Sequence, residues 1–217
     1  MKKENQKNVL ISIGILVSFV LWTVLICIVD VKAIGPKETT VGLATVNAFV
    51  HNLTGVNMSL YIITDWLGFV PIIFALGFAV LGLIEWIKRK HISKVDYSLF
   101  VLGGFYIAVI AVYVLFEYLI INYRPVLING YLEVSYPSST TMLVLTVMPT
   151  AIMQLNNRIK NKAVKRYVSM LIVAFIIFMV IGRLISGVHW FTDIVGGILI
   201  SLSLVTAYGL LVRLKTV

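Results

Sequence analysis

Residues 183–193 read Arg-Leu-Ile-Ser-Gly-Val-His-Trp-Phe-Thr-Asp, and in this stretch His189 and Asp193 stand four apart. That spacing puts two side chains on one face of a helix. A carboxylate so close to an imidazole fixes its tautomer and stabilises its charged form. Upstream lie Arg124-Pro125 and the run Pro137-Ser138-Ser139-Thr140-Thr141. A proline followed by hydroxyl residues is a good helix start, and the exposed N–H groups of such a start form a ready anion site. Many helices are capped by serine, so the run alone says little. Together with Arg124, Arg183 and the carboxylate-supported histidine, it points to phosphate recognition beside a nucleophile.

The elements that must position these residues are membrane spans. Sixty per cent of the 217 residues are hydrophobic and 12% are charged, against about 45–50% and about 25% in soluble domains. Apolar runs cover approximately 9–30, 60–87, 97–121, 138–155, 167–183 and 190–212, each near the length of about 20 residues that a spanning helix needs. The pattern predicts an all-α bundle of six transmembrane helices forming a single domain over 1–217, with no linker, repeat or low-complexity tract to mark a second. The apolar stretch Val9 to Val29 is longer than a signal-peptide core and lacks a small-residue cleavage site, so it reads as a retained first helix.

The net charge of +9 raises the question of nucleic acid, but its distribution answers otherwise. Fourteen of the eighteen Lys and Arg fall in four clusters, around Lys2–Lys7, Lys88–Lys94, Arg158–Arg166 and Arg213–Lys215. Each abuts an apolar run, as cytoplasmic loops do. Both termini are therefore expected in the cytoplasm, and segments 31–59, 122–137 and 184–189, which carry the residues of interest, on the outer side. No nucleic-acid partner is expected. The absence of a eukaryotic sorting signal and the small size point to a bacterial plasma membrane.

Segment 31–59 holds Leu43, Val46, Phe49, Val50 and Leu53 at helical spacing, with Asn47 and His51 on another face. An amphipathic helix on the outer leaflet, closed by Gly55, fits; it either guides a lipid to the site or covers the bundle. Trp66 and Trp190 are expected at the outer interface and Trp86 at the inner one. Pro71 is expected to kink the second span, and Gly103, Gly104, Gly196 and Gly197 to allow close helix approach. Cys27, the single cysteine, reads as a core or lipid-facing residue.

The order Arg-Pro, Pro-Ser-Ser and Arg-x5-His-x3-Asp resembles the type 2 phosphatidic acid phosphatase superfamily, the lipid phosphate phosphatases. The resemblance implies a helical bundle with its site at the outer membrane face, no metal or other cofactor, and membrane lipids and a lipid phosphate as partners. It implies that His189 attacks phosphorus to give a phosphohistidine, with Asp193 orienting it. Arg124 and Arg183 would hold the phosphoryl oxygens, helped by Ser138, Ser139, Thr140 and their backbone N–H groups, and water would resolve the intermediate. Candidate substrates are a polyprenyl diphosphate, phosphatidic acid or phosphatidylglycerol phosphate. Oligomeric state is not legible.

Three positions depart from the family pattern. The family's first motif is Lys-x6-Arg-Pro, and Glu117 stands where its lysine would be. Its second motif is Pro-Ser-Gly-His, and Thr140 stands where its histidine would protonate the leaving oxygen. Its third motif usually opens Ser-Arg, where this chain has Gly182-Arg183. General acid catalysis contributes about 10²–10⁴-fold, and threonine is a poor acid. Three explanations fit: a diphosphate substrate whose leaving phosphate needs little protonation, another acid such as Glu117 or Glu133 with its pKa raised by burial, or a weak or inactive relative that binds lipid or phosphate. A lipid-linked phosphotransferase is a further alternative. Glu117 and Asp65 each read equally as structural partners of an arginine. The spacing of His189, Asp193 and the glutamates contains no metal-ligand motif, and no paired broken helices suggest a transporter.

Overall fold

In a computed structural model, residues 2–91 and 94–214 are described. Eight helices follow one another among these residues: α1 (Lys2–Ile28), α2 (Ala44–Thr54), α3 (Met58–Leu67), α4 (Phe69–Arg89), α5 (Tyr97–Tyr118), α6 (Ser139–Arg158), α7 (Lys162–Ile185) and α8 (Phe191–Leu214). A two-stranded antiparallel ribbon, β1 (Lys32–Ala33) and β2 (Thr40–Val41), precedes α2. Among the described residues, five segments are long and apolar enough to cross a membrane: Gln6–Ile28, Met58–Arg89, Tyr97–Tyr118, Lys162–Ile185 and Phe191–Arg213.

The remaining long helix, α6, accounts for the difference from the six spans expected. It packs against α4, α5, α7 and α8 and buries Thr141, Thr146, Thr150 and Gln154. A helix surrounded by other helices need not be apolar, provided that its polar groups are satisfied. Thr146 and Thr150 donate to the carbonyls of Met142 and Thr146 at 2.8 and 2.9 Å. Gln154 donates to Ser98 O at 3.1 Å, tying α6 to α5.

The second span is broken rather than bent. Pro71 cannot donate to the carbonyl of Leu67 and its ring crowds that oxygen, so α3 ends at Leu67 and α4 begins at Phe69. Gly68 closes the joint, its N–H reaching Thr64 O and Asp65 O at 3.1 and 3.0 Å. The α3 half is free to lean across the site end of the bundle, where it packs on α7.

Helix α1 runs antiparallel to α8. Ser12 Oγ donates to Ser203 O at 3.3 Å, and two turns and more further on Trp22 Nε1 donates to Thr192 O at 3.2 Å. The N-terminal end of α1 and the C-terminal end of α8 thus share one end of the bundle with the basic turns around residues 89–96 and 158–162. There Arg158 pairs with Asp96 at 3.2 Å. The chemistry-bearing segments 44–67, 119–138 and 186–193 gather at the opposite end.

Helix α2 lies there with its polar face inward. Asn47 is fully buried, while Val46, Phe49 and Leu53 are exposed. In water this would be inverted; against lipid it is the stable orientation. Asp30 anchors its start, with Oδ2 accepting from Thr45 N and its carbonyl from Ala44 N. Cys27 is exposed on α1. Trp66 and Trp86 are exposed toward opposite ends, but Trp190 is buried, its indole N–H donating to Tyr123 O at 2.8 Å. It anchors the loop before α8 instead of marking an interface.

Candidate active site

The loop between α7 and α8 carries His189, and the sharp turn before it depends on backbone proximity. Gly187 has φ +65°, and a Cβ there would lie 1.8 Å from the carbonyl oxygen of Gly55. Asn57 N donates to Ser186 O at 2.9 Å, so the α2–α3 corner is laced onto this loop. His189 precedes the helix rather than riding on it. Trp190 stands at the N-cap, and Asp193, three residues on, accepts the Trp190 N–H through Oδ2 at 2.9 Å. That is the reciprocal half of a capping box. The four-residue spacing is thus real, but its geometry is that of a helix start.

The structure brings His189, Asp193, Arg124 and Arg183 into one buried cluster. It also corrects the contact between the first two. His189 Nδ1 and Asp193 Oδ2 are 3.8 Å apart, too far for a hydrogen bond. Ser135 lies between them, its Oγ 3.0 Å from His189 Nδ1 and 2.5 Å from Asp193 Oδ2. Asn122 Nδ2 donates to Asp193 Oδ1 at 3.1 Å. Both partners come from the segment between α5 and α6. Its antiparallel bridge Tyr123–Val134 sets residues 122–124 opposite 133–135, around a turn at Asn129 and Gly130 with φ of +50° and +83°. Ser135 and Asn122 escaped the motif reading. The Asn-Gly pair is the sequence signal that announces such a hairpin.

Arg183 is 1% exposed. Its Nη2 lies 3.3 Å from His189 Nε2, and its Nη1 lies 3.4 Å from Thr64 Oγ1 and 3.6 Å from Asp65 Oδ1. Asp65 is thereby a structural partner. Arg124 Nε stands 3.0 Å from Glu133 Oε2, which gives Glu133 the same role across the hairpin. Tyr61 of α3 lies under both guanidinium groups, 4.9 Å from Arg183 Cζ and 5.7 Å from Arg124 Cζ. Arg183 Nε and Arg124 Nη1 are buried with no hydrogen-bond partner among the described residues. Buried cationic donors left open in this way are costly unless an anion completes them.

The α6 start is arranged differently from the expectation. Ser138 is fully buried; its N–H donates to Asp193 O at 3.1 Å and its Oγ accepts from Thr141 Oγ1 at 3.0 Å. Ser138 therefore joins α6 to α8, and its amide is not available to an anion. Ser139 and Thr140 are half-buried in the first turn, where amides lack intrahelical partners. Ser139 lines a crevice with Glu117, Tyr113 and Ser135. Glu117 itself is exposed and makes no ion pair with an arginine among the described residues. Gly196 and Gly197 do allow close approach, to Tyr136 and to Ser138 O, whereas Gly103 and Gly104 face open space.

Burial holds the His189 imidazole well below its ordinary pKa, and the charges of Arg124 and Arg183 push the same way. The ring is therefore neutral at pH 7. Burial alone lowers His51, whose ring packs on Trp190 with centroids 5.5 Å apart.

Fold and cluster together define a multi-pass helical membrane protein with an arginine–histidine centre at one end. Residues 120–216 match the family model described as PAP2 superfamily, so the resemblance carried by the motifs holds for the part of the chain that contains the centre. The fold is similar to that in the crystal structure of the first transmembrane PAP2 type phosphatidylglycerolphosphate phosphatase from Bacillus subtilis. The TM-score is 0.60 at 16% sequence identity, over 91% of this chain and 94% of that one. No curated protein matches the sequence.

Proposed function

We propose that the chain is a metal-independent lipid phosphatase or diphosphatase, one membrane-embedded domain whose site faces outward from a bacterial plasma membrane. In this reading α6 completes six spans, and the basic turns and both termini are cytoplasmic, as the positive-inside rule requires. The observation that carries the proposal is the open donors Arg183 Nε and Arg124 Nη1 beside a neutral histidine. A phosphoryl group fills that space with charge-assisted hydrogen bonds. The His189 Nε2 lone pair attacks phosphorus, the bond from phosphorus to the leaving oxygen breaks, and the leaving group departs with that electron pair. Water then attacks the phosphohistidine, the N–P bond breaks, inorganic phosphate leaves, and the water proton returns to solvent.

Thr140 in place of an acid favours a leaving group that needs no proton, hence a lipid diphosphate such as a polyprenyl diphosphate. Phosphatidic acid and phosphatidylglycerol phosphate, the latter named for the Bacillus subtilis protein of similar fold, are the monophosphate alternatives. The test is phosphate release by purified wild type, His189→Ala and Thr140→His from a diphosphate and a monophosphate lipid. Expected are faster release from the diphosphate, background release by His189→Ala, and at least about tenfold faster monophosphate hydrolysis by Thr140→His. Equal inactivity of wild type and His189→Ala on every lipid would leave the non-catalytic, lipid-binding reading.

A further inference from the structure

We infer that Ser135 is a positioning residue that joins His189 to Asp193 in a one-directional hydrogen-bond relay, and that together with Arg183 it holds the imidazole in the tautomer needed for attack. The inference rests on the phosphatase reading for its consequence, but its geometry does not. A guanidinium can only donate, so the 3.3 Å contact from Arg183 Nη2 requires His189 Nε2 to be an unprotonated acceptor. In a neutral ring the proton then sits on Nδ1, and Nδ1–H donates to Ser135 Oγ at 3.0 Å. Ser135, having accepted, turns its own hydrogen to Asp193 Oδ2. Each donor in this chain has one acceptor and no alternative assignment satisfies both ends.

The carboxylate cannot take over the role of Ser135 by moving closer. Asp193 is fully buried, and Trp190 N and Asn122 Nδ2 hold it at 2.9 and 3.1 Å. At 3.8 Å from the imidazole it acts only through the hydroxyl. As the N–P bond forms at Nε2 the ring gains positive charge while keeping its Nδ1 proton. The hydroxyl, polarised by the carboxylate, stabilises that charge without accepting the proton. A ring in the other tautomer has its lone pair on Nδ1, facing Ser135, and cannot reach phosphorus.

The experiment is ¹⁵N-histidine NMR of the full-length protein in detergent above pH 7, with phosphate-release kinetics on the same samples. Three histidines make assignment tractable. Wild type should show His189 protonated at Nδ1 and bare at Nε2. Ser135→Ala should mix the tautomers and lower kcat by at least about tenfold, with KM little changed, because the phosphate-holding arginines are untouched. Ser135→Thr, which keeps the hydroxyl, should restore both signals. A wild-type ring protonated at Nε2 overturns the relay without any variant, and so does a Ser135→Ala enzyme with wild-type kcat. If wild type hydrolyses no lipid phosphate, the phosphatase reading fails while the tautomer still decides the relay.

Discussion

The guanidinium of Arg183 lies 4.9 Å over the ring of Tyr61, and Arg124 approaches the same ring at 5.7 Å. Two cations converging on one pocket repel, and the negative face of an aromatic ring offsets part of that repulsion where water is excluded. The ring, not the hydroxyl, does this. Tyr61→Phe should keep kcat/KM within about twofold, while Tyr61→Leu should lower it by about 2- to 30-fold, mostly through KM. Steady-state phosphate release separates the two variants.

Arg183 makes directed contacts with His189, Thr64 and Asp65 from one planar group. A lysine ammonium keeps the charge but cannot occupy those directions together. Arg183→Lys should therefore lose about 10- to 150-fold in kcat/KM, the cost of one charge-assisted hydrogen bond or slightly more. Asp65 contributes much less, because its side chain is 56% exposed and water screens the pair. Asp65→Asn should stay within about threefold of wild type in the same assay.

What was legible in the sequence follows from which forces act locally. Hydropathy marked six apolar runs, and five of them coincide with segments long and apolar enough to cross a membrane, because lipid selects apolar surface residue by residue. The remaining run, 138–155, became α6, which is the least apolar of the long helices because its neighbours are helices rather than lipid, so Thr146, Thr150 and Gln154 lower its hydropathy at no cost. The cluster of His189, Asp193, Arg124 and Arg183 was readable from spacing and family motifs. Ser135, Asn122 and Tyr61 were not, since each meets its partner (His189, Asp193 and Arg183 respectively) across 54 or more residues of chain through a hairpin or a broken helix. Ser138 looked like an anion ligand by type, yet its amide is engaged by the carbonyl of Asp193.

The pH dependence of kcat/KM should carry the mark of the His189 environment. Attack requires the neutral imidazole, so activity falls as pH drops through the ring's pKa in the free enzyme. Burial, Arg124 and Arg183 all lower that pKa from 6.5. The part of the acidic limb that this ring contributes should therefore lie well below pH 6.5. Arg124→Gln removes one of the lowering charges, so its limb should shift upward, toward 6.5, whatever the loss in absolute rate. A limb that shifts downward in this variant would contradict the assignment of Arg124 beside His189.

Gly196 tests whether the relay depends on the packing behind it. A Cβ at this position would meet Tyr136 Cε2 at 2.4 Å and Cζ at 2.7 Å. The ring has nowhere to go: it is 1% exposed, stacks on Phe19, meets Phe116 edge-on, and hydrogen-bonds Thr23 Oγ1 at 2.7 Å. Tyr136 is the chain neighbour of Ser135, so pushing the ring moves the hydroxyl that bridges His189 and Asp193. Gly196→Ala should cost about 1–3 kcal/mol of stability, as overpacking does, and should lower kcat more than KM. Gly103→Ala is the control. Its Cβ meets nothing within 4 Å, and alanine favours a helix by up to about 1 kcal/mol, so melting in detergent and phosphate release should both match or exceed wild type. If Gly196→Ala melts lower but keeps full kcat, Tyr136 supports the bundle alone and Ser135 is held by the hairpin.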